Sequence, residues 1–158
     1  PSEKTKIAAS KANSNVTVPR VKVTKPLENK PKSTPDPVVF STNWKWQWPI
    51  KGKIIESFSL AKLHKGIKIK SVSRAAVRSS APGVVVYAGE GLRGYGKLVI
   101  IKHSDILLSA YAHNDQIMVR EGQTVRQMEI ISRLGSDGTI YFEIRKDGVP
   151  VDPEAYLK

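Results

Sequence analysis

Apolar residues recur along this chain in short runs with a period near two, and glycines punctuate them. The pattern predicts strands over residues 53–58, 66–70, 83–88, 97–103, 106–113, 130–134 and 139–146. Strands this short, spaced by about 8 to 15 residues, imply an antiparallel all-β domain. Val84, Val85, Val86 and Tyr87, and again Leu98, Val99, Ile100 and Ile101, are apolar on both faces, which places those strands between layers rather than on a wetted sheet. No stretch shows a 3.6-residue period, and only residues 153–157 read as a terminal helical turn. Helix-based readers of DNA are therefore poor candidates. Residues 81–89 and 121–135 share a loose pattern of glycine turn, valines and glycine, a hint of a duplicated hairpin unit. Trp44, Trp46 and Trp48 alternate at period two, so their rings are expected on one strand face, either packing the edge of the domain or stacking on sugar rings.

Before residue 41 the texture differs. Residues 1–40 hold six of the ten prolines, none of the eleven glycines and a single aromatic, Phe40. That composition predicts a disordered basic Pro/Lys-rich linker over residues 1–40 and one folded domain over residues 41–158. The tail reads as a solvated spacer rather than a nucleic-acid arm, because no aromatic is interleaved to stack on bases. The chain opens at Pro1, which raises the expectation of a leader or upstream module ahead of it.

Charge narrows the partner class. Twenty-six Lys and Arg against fourteen Asp and Glu leave +12, which suits nucleic acid, anionic lipid or an anionic wall polymer. With no cysteine, disulfides, thiolate zinc sites and cysteine nucleophiles are excluded. No run reaches the roughly 18 to 20 apolar residues of a membrane span. Gly89, Gly91, Gly94 and Gly96 around Tyr95 read as a hairpin rather than a nucleotide cradle, since no helix follows to present its dipole.

Residues 87–103 (YAGEGLRGYGKLVIIKH), 110–114 (AYAHN) and 142–156 (FEIRKDGVPVDPEAY) resemble the LytM or lysostaphin-type zinc peptidase family, above all its NlpD-like envelope lipoproteins. The WQWP segment at residues 46–49 adds to the likeness. The resemblance covers about residues 44–158 and implies a compact antiparallel β-sandwich/barrel hybrid. Active members carry an H-x-G-x-D motif with two zinc ligands, a Y-x-H-type catalytic histidine, and a terminal H-x-H ahead of F-E. In this chain His64 matches the first ligand, Lys68 occupies the place of the carboxylate, and His113 follows Tyr111 at the catalytic position. Thr139 and Tyr141 stand where the terminal histidines are expected.

The chemistry of those residue types opposes a metal. A catalytic zinc takes three protein ligands and an open position for water. The chain has three histidines in all, His64, His103 and His113. Lys68 exchanges a negative charge for a positive one, and a lysine with its usual pKa near 10.4 gives up its proton at a cost of roughly 4 to 5 kcal/mol at pH 7. Tyr141, as a neutral phenol, is a weak ligand. The expectation is no metal, no cofactor and no catalysis. His64 reads either as a vestigial ligand or as an exposed loop group, and His103 as a structural residue closing a strand end.

What remains is a groove, expected to be lined by Lys65, Lys68, Tyr95, Tyr111, His113, Tyr141 and Arg145, with Tyr95 projecting freely and Arg145 reaching a carboxylate or a helix C-terminus on a partner. By resemblance, the expected role is a non-enzymatic activator of N-acetylmuramoyl-L-alanine amidases that split septal peptidoglycan. Its place would be the periplasm, with the membrane reached only through an upstream lipid anchor. The rival readings are a zinc endopeptidase acting on peptidoglycan and a passive peptidoglycan-binding module.

Overall fold

The structure is a computed structural model that describes residues 44–158. The expected linker over residues 1–40 lies outside the described residues. From Lys53 onward the chain runs through β1 (Lys53–Glu56), β2 (Ile67–Lys70), β3 (Ala76–Arg78), β4 (Gly83–Gly89), β5 (Lys97–Lys102), β6 (Leu107–Asn114), β7 (Gln116–Ile117), β8 (Thr124–Val125), β9 (Ile130–Arg133), β10 (Thr139–Lys146) and β11 (Val149–Val151). A single 3-10 turn, Pro153–Ala155, follows, and the Asp152 carboxylate accepts from the Glu154 amide at 3.0 Å to start it. No helix among the described residues is long and apolar enough to cross a membrane.

All pairings among the described residues are antiparallel. The large sheet has the order β1-β2-β10-β6-β5-β4-β8, with β11 beside the second half of β10, and β3-β9-β7 forms a small second sheet. Strand β10 is the axis of the large sheet because it pairs with three strands. Thr139 to Phe142 pair with β2, Ile144 to Lys146 pair with β11, and Tyr141 to Lys146 pair with β6 on the other side. Alternation then sorts its residues. Ile140, Phe142 and Ile144 face the main core with Ile67, Ile69, Val99, Ile101 and Tyr111, and Val77 and Ile131 from the small sheet belong to the same cluster. Each fully buried side chain of this size contributes about 1.5 to 3 kcal/mol. Tyr141, Glu143 and Arg145 take the opposite face, where a smaller cluster of Leu98, Ala110 and Ala112 is covered by Tyr87, Tyr95 and Ile100.

Several expectations change here. The both-faced apolar reading holds for β5, whose Leu98 and Val99 enter different clusters. It fails at Val86, which is 44% exposed beside a bulge between Val85 and Tyr87. Trp44 to Trp48 form no strand, yet the expected packing holds, with Trp46 in the main core and Trp44 and Trp48 against it. Trp46 is buried, with edge contacts to Trp44 and His103 at 5.0 Å, whereas Trp48 lines a separate groove. The supposed duplicated hairpins are not equivalent. The first is the single strand β4, and it pairs with β8 from the second.

Candidate functional site

The expected groove residues are only partly brought together. Lys68 on β2 lies opposite Tyr141 on β10 in the strand register, and together with Arg93, Gly94, Tyr95 and His113 they line an open hollow of about 320 Å³. The β4–β5 loop supplies Arg93 to Tyr95, and Gly94 and Gly96 turn it with φ of 90° and 60°. His113 reaches the hollow by an unexpected route. Strict alternation along β6 sends it to the core side with Tyr111, but its backbone is left-handed at φ 66°, and its ring stands 6.2 Å from that of Tyr141. Its amide donates to the Tyr95 carbonyl at 2.9 Å, tying the loop to the strand end.

Four residues differ from expectation: Tyr111, Lys65, Arg145 and Tyr95. Tyr111 is not a groove residue: it is fully buried, because it shares the core face of β6 with Phe142 across the ladder. Its hydroxyl lies 2.9 Å from the Ser80 amide and 2.7 Å from the Ser109 hydroxyl, which in turn sits 2.6 Å from His103 Nε2. Burial lowers the His103 pKa to about 4, against a weaker opposing pull from the Pro82 carbonyl. Neutral His103 therefore donates from Nδ1 to that carbonyl at 2.8 Å and accepts at Nε2. The Ser109 proton goes to His103, the Tyr111 proton goes to Ser109, and the Ser80 amide completes the chain. His103 is thus structural, as its position at a strand end suggested. Lys65 is exposed and does not line the hollow. Arg145 does not reach outward with a free fork, since its Nε already donates to Glu143 Oε1 at 2.9 Å.

Glu143, which was not among the expected site residues, is the hub. Its carboxylate is 1% exposed and accepts from Tyr141 Oη at 2.6 Å, from Tyr95 Oη at 3.2 Å and from Arg145. A buried carboxylate on this sheet face needs that many donors, since an unpaired one is prohibitively costly. Burial first, then the hydrogen bond to Glu143, push the Tyr141 hydroxyl far above the usual phenol range. Burial, followed by the Glu143 charge, raises that of Tyr95. Tyr95 is accordingly drawn inward, its ring 6.1 Å from that of Tyr141. It also forms the wall of a second, mostly apolar cavity of about 250 Å³ floored by Glu143 and Arg145.

On the other side of the hollow, Glu56 of β1 bridges His64 Nε2 at 3.0 Å and Lys68 Nζ at 3.2 Å. The zinc positions thus hold an ammonium paired to a carboxylate, a tyrosine proton spent on Glu143, and a histidine turned to Glu56. Among the described residues no group of three or more His, Cys, Asp or Glu side chains is placed to hold a metal ion. This donor set does not fit zinc: of the three ligand positions only His64 keeps a ligating side chain, and Lys68 and Tyr141 stand at the other two.

The model of peptidase family M23 matches residues 62–153, the span that carries His64, Lys68, His113 and Tyr141. The chain belongs to peptidase family M23. The murein hydrolase activator NlpD of Escherichia coli is 50% identical over 117 residues, which are 71% of this chain and 31% of that protein. The outer membrane antigenic lipoprotein B of Haemophilus influenzae is 49% identical over 122 residues, 74% of this chain and 30% of that protein. Among solved structures, the Csd3 protein of Helicobacter pylori superposes with a TM-score of 0.66 at 29% identity, covering 73% of this chain and 33% of the other. This M23 chain spans about a third of the length of those curated relatives. The match accounts for the β-sheet architecture and for the order of the motifs. The relatives named here as activators carry that name rather than a hydrolase's.

Proposed function

We propose that this M23 domain is a non-enzymatic activator of N-acetylmuramoyl-L-alanine amidases, acting on septal peptidoglycan cleavage in the cell envelope. The observation that carries the reading is the paired replacement at the ligand positions. Lys68 and Tyr141 face each other across β2 and β10, and each is satisfied by a carboxylate of the domain itself, Glu56 and Glu143. A site that has closed its own hydrogen bonds keeps the hollow and gives up water activation.

Its chemistry as a binding site follows. Lys68 is about 40% exposed in its pair with Glu56, so the contact is worth less than about 1 kcal/mol and exchanges readily for a carboxylate on a partner. Arg93 adds a second cation at the rim, and the Tyr95 and His113 rings offer apolar walls. An amidase whose inhibitory segment seats here shifts toward its open state by the difference in affinity of the two states for the groove. The proline-rich residues 1–40 act as the spacer, and the lipoprotein names of the relatives support a periplasmic, envelope-anchored setting.

The test is dye release from labelled sacculi by a purified amidase, with and without the full chain, alongside elemental analysis of the chain. Strong stimulation, no release by the chain alone and no stoichiometric zinc are expected. Release by the chain alone with one zinc per molecule restores the endopeptidase reading. Sacculus binding without stimulation leaves a passive wall-binding module.

A further inference from the structure

A larger groove, of about 1080 Å³, shares no lining residue with the Lys68 hollow or with the Glu143 cavity. Its walls come from Trp48 ahead of β1, Val72 after β2, Arg78 of β3 and Met128 before β9, with Lys51 at the rim. No Asp or Glu lines it, and neither Lys51 nor Arg78 has a carboxylate partner among the described residues. Arg78 is steadied instead by donating from Nη1 to the Met128 carbonyl at 3.1 Å.

Met128 occupies an unusual place, and an internal repeat shows it. Residues 119–124 (VREGQT) and 125–130 (VRQMEI) are two consecutive copies of one turn. In the first, the Gln123 amide donates to the Arg120 carbonyl at 3.1 Å and the Arg120 amide to Gln123 Oε1 at 3.2 Å. In the second, the Glu129 amide donates to the Arg126 carbonyl at 3.1 Å and the Arg126 amide to Glu129 Oε1 at 2.8 Å. The third residue of each turn is left-handed, Gly122 at φ 90° and Met128 at φ 69°, and each donates its amide back to the domain, to Val85 and Ser79. Glycine adopts that conformation without strain, and a side chain does not. Met128 holds it while 41% exposed, so the side chain gains little by burial in exchange. Strained residues of this kind concentrate at ligand clamps.

We propose that this groove is a docking site for a segment of a partner protein that presents apolar side chains on one side and carboxylates beside them. The two unpaired cations and the absence of any acid make the groove complementary to carboxylates. Val72, 72% exposed, and the flexible thioether of Met128 give an adaptable apolar surface next to the indole of Trp48. For a glycan the lining offers few neutral hydrogen-bonding side chains beside its two cations: Gln47, the Trp48 indole, and a Ser71 hydroxyl already spent on the Lys51 carbonyl at 2.6 Å. This inference is independent of the amidase reading.

The experiment titrates the full chain by calorimetry with three probes: an 18-residue amphipathic peptide of leucine and glutamate, its twin with lysine for glutamate, and chitohexaose. The glutamate peptide is expected to bind about tenfold or more tightly than its twin, and to lose about tenfold on Lys51→Glu with Arg78→Glu, with the difference shrinking as salt rises. Met128→Gly is expected to weaken binding several-fold with the melting temperature kept or raised, because Gly122 shows that the turn forms with glycine. Lys68→Glu, in the other groove, is expected to leave this binding intact. Equal binding of the two peptides, no binding of the glutamate peptide, or indifference to the charge reversal overturns the proposal. So does loss of binding through Lys68→Glu, which puts the peptide in the other groove. Chitohexaose binding that disappears in Trp48→Ala while the peptide fails to bind makes the groove a glycan site and also overturns it.

Discussion

The two faces of β10 are built from alternate residues of one strand, yet they are held by opposite means. On one side Ile140, Phe142 and Ile144 are dry and close-packed against both sheets. On the other, Tyr141, Glu143 and Arg145 satisfy one another, with Tyr95 leaning in from the β4–β5 loop. The apolar face needs volume and tolerates no gap. The polar face needs a complete set of donors around one carboxylate. That completeness separates a closed site from a metal site, because side chains satisfied by each other have nothing left to give a cation. Each face also carries a buried titratable hub, His103 toward the core and Glu143 toward the groove.

The largest effect is expected from breaking the apolar face. Phe142→Ala removes a fully buried ring in contact with Tyr111 at a centroid distance of 5.2 Å, and a loss of about 3 to 5 kcal/mol in denaturant unfolding is expected. A loss below about 1 kcal/mol would mean the strand collapses into the gap, contrary to a rigid axis.

Acid attacks the core-side hub next. Unfolded, His103 takes a proton below about pH 6.5, and folded only below about 4. Between those values the unfolded state binds more protons, so stability rises with pH across the window, is fully present above 6.5 and is lost as pH falls toward 4. The loss is expected to be about 3 kcal/mol. His103→Gln, which can still donate to Pro82 and accept from Ser109, should remove that part of the slope when unfolding free energy is followed from pH 7 to 4. An unchanged slope would place the acid sensitivity elsewhere.

Breaking the groove-side hub should cost less, since its partners are half-buried and can turn to water. Glu143→Ala leaves Arg145 and two tyrosines without their acceptor, for a loss of about 2 kcal/mol by thermal unfolding. Its distinguishing effect is local. The β4–β5 loop loses the Tyr95 anchor, and amide exchange over residues 90–96 is expected to quicken more than in Phe142→Ala variants compared at equal stability.

These differences show how far residue pattern alone reaches. The predicted strands over residues 97–103, 106–113 and 139–146 match β5, β6 and β10 to within a residue, because six or more residues give alternation enough to read. Strands β3, β7, β8 and β11, of two or three residues, carry no periodicity and are fixed only by their ladders. In the site, Lys68 and Tyr141 were legible as replacements, while their partners Glu56 and Glu143 were not. Glu56 meets Lys68 from the neighbouring strand, and although Glu143 lies two residues from Tyr141 and from Arg145, alternation shows only a shared face and not which carboxylate is buried among donors. His113 was read as a groove residue from its motif, but its left-handed backbone is a property of the strand end. Tyr111 was expected beside His113 because the motif and the pleat put both on one face, but the left-handed backbone at His113 turns that ring out to the hollow and leaves Tyr111 in the core.

The smallest effect on stability, and the sharpest separation of the two faces, is expected from Lys68→Ala. The side chain is about 40% exposed and its pair with Glu56 is solvent-screened, so the change in unfolding free energy should stay within about 1 kcal/mol. Its backbone pairing with Tyr141 is untouched, and Glu56 keeps His64 as a neighbour. Amidase stimulation, by contrast, should fall about tenfold if Lys68 is the cation that meets a partner's carboxylate, since loss of one charge-assisted contact is worth about 1.5 to 3 kcal/mol. Lys68→Arg separates charge from shape: it keeps the positive charge and should restore most of the stimulation. If Lys68→Ala stimulates normally, the cation is not part of the working surface. The remaining candidates in the hollow would then be Arg93 and the two aromatic walls.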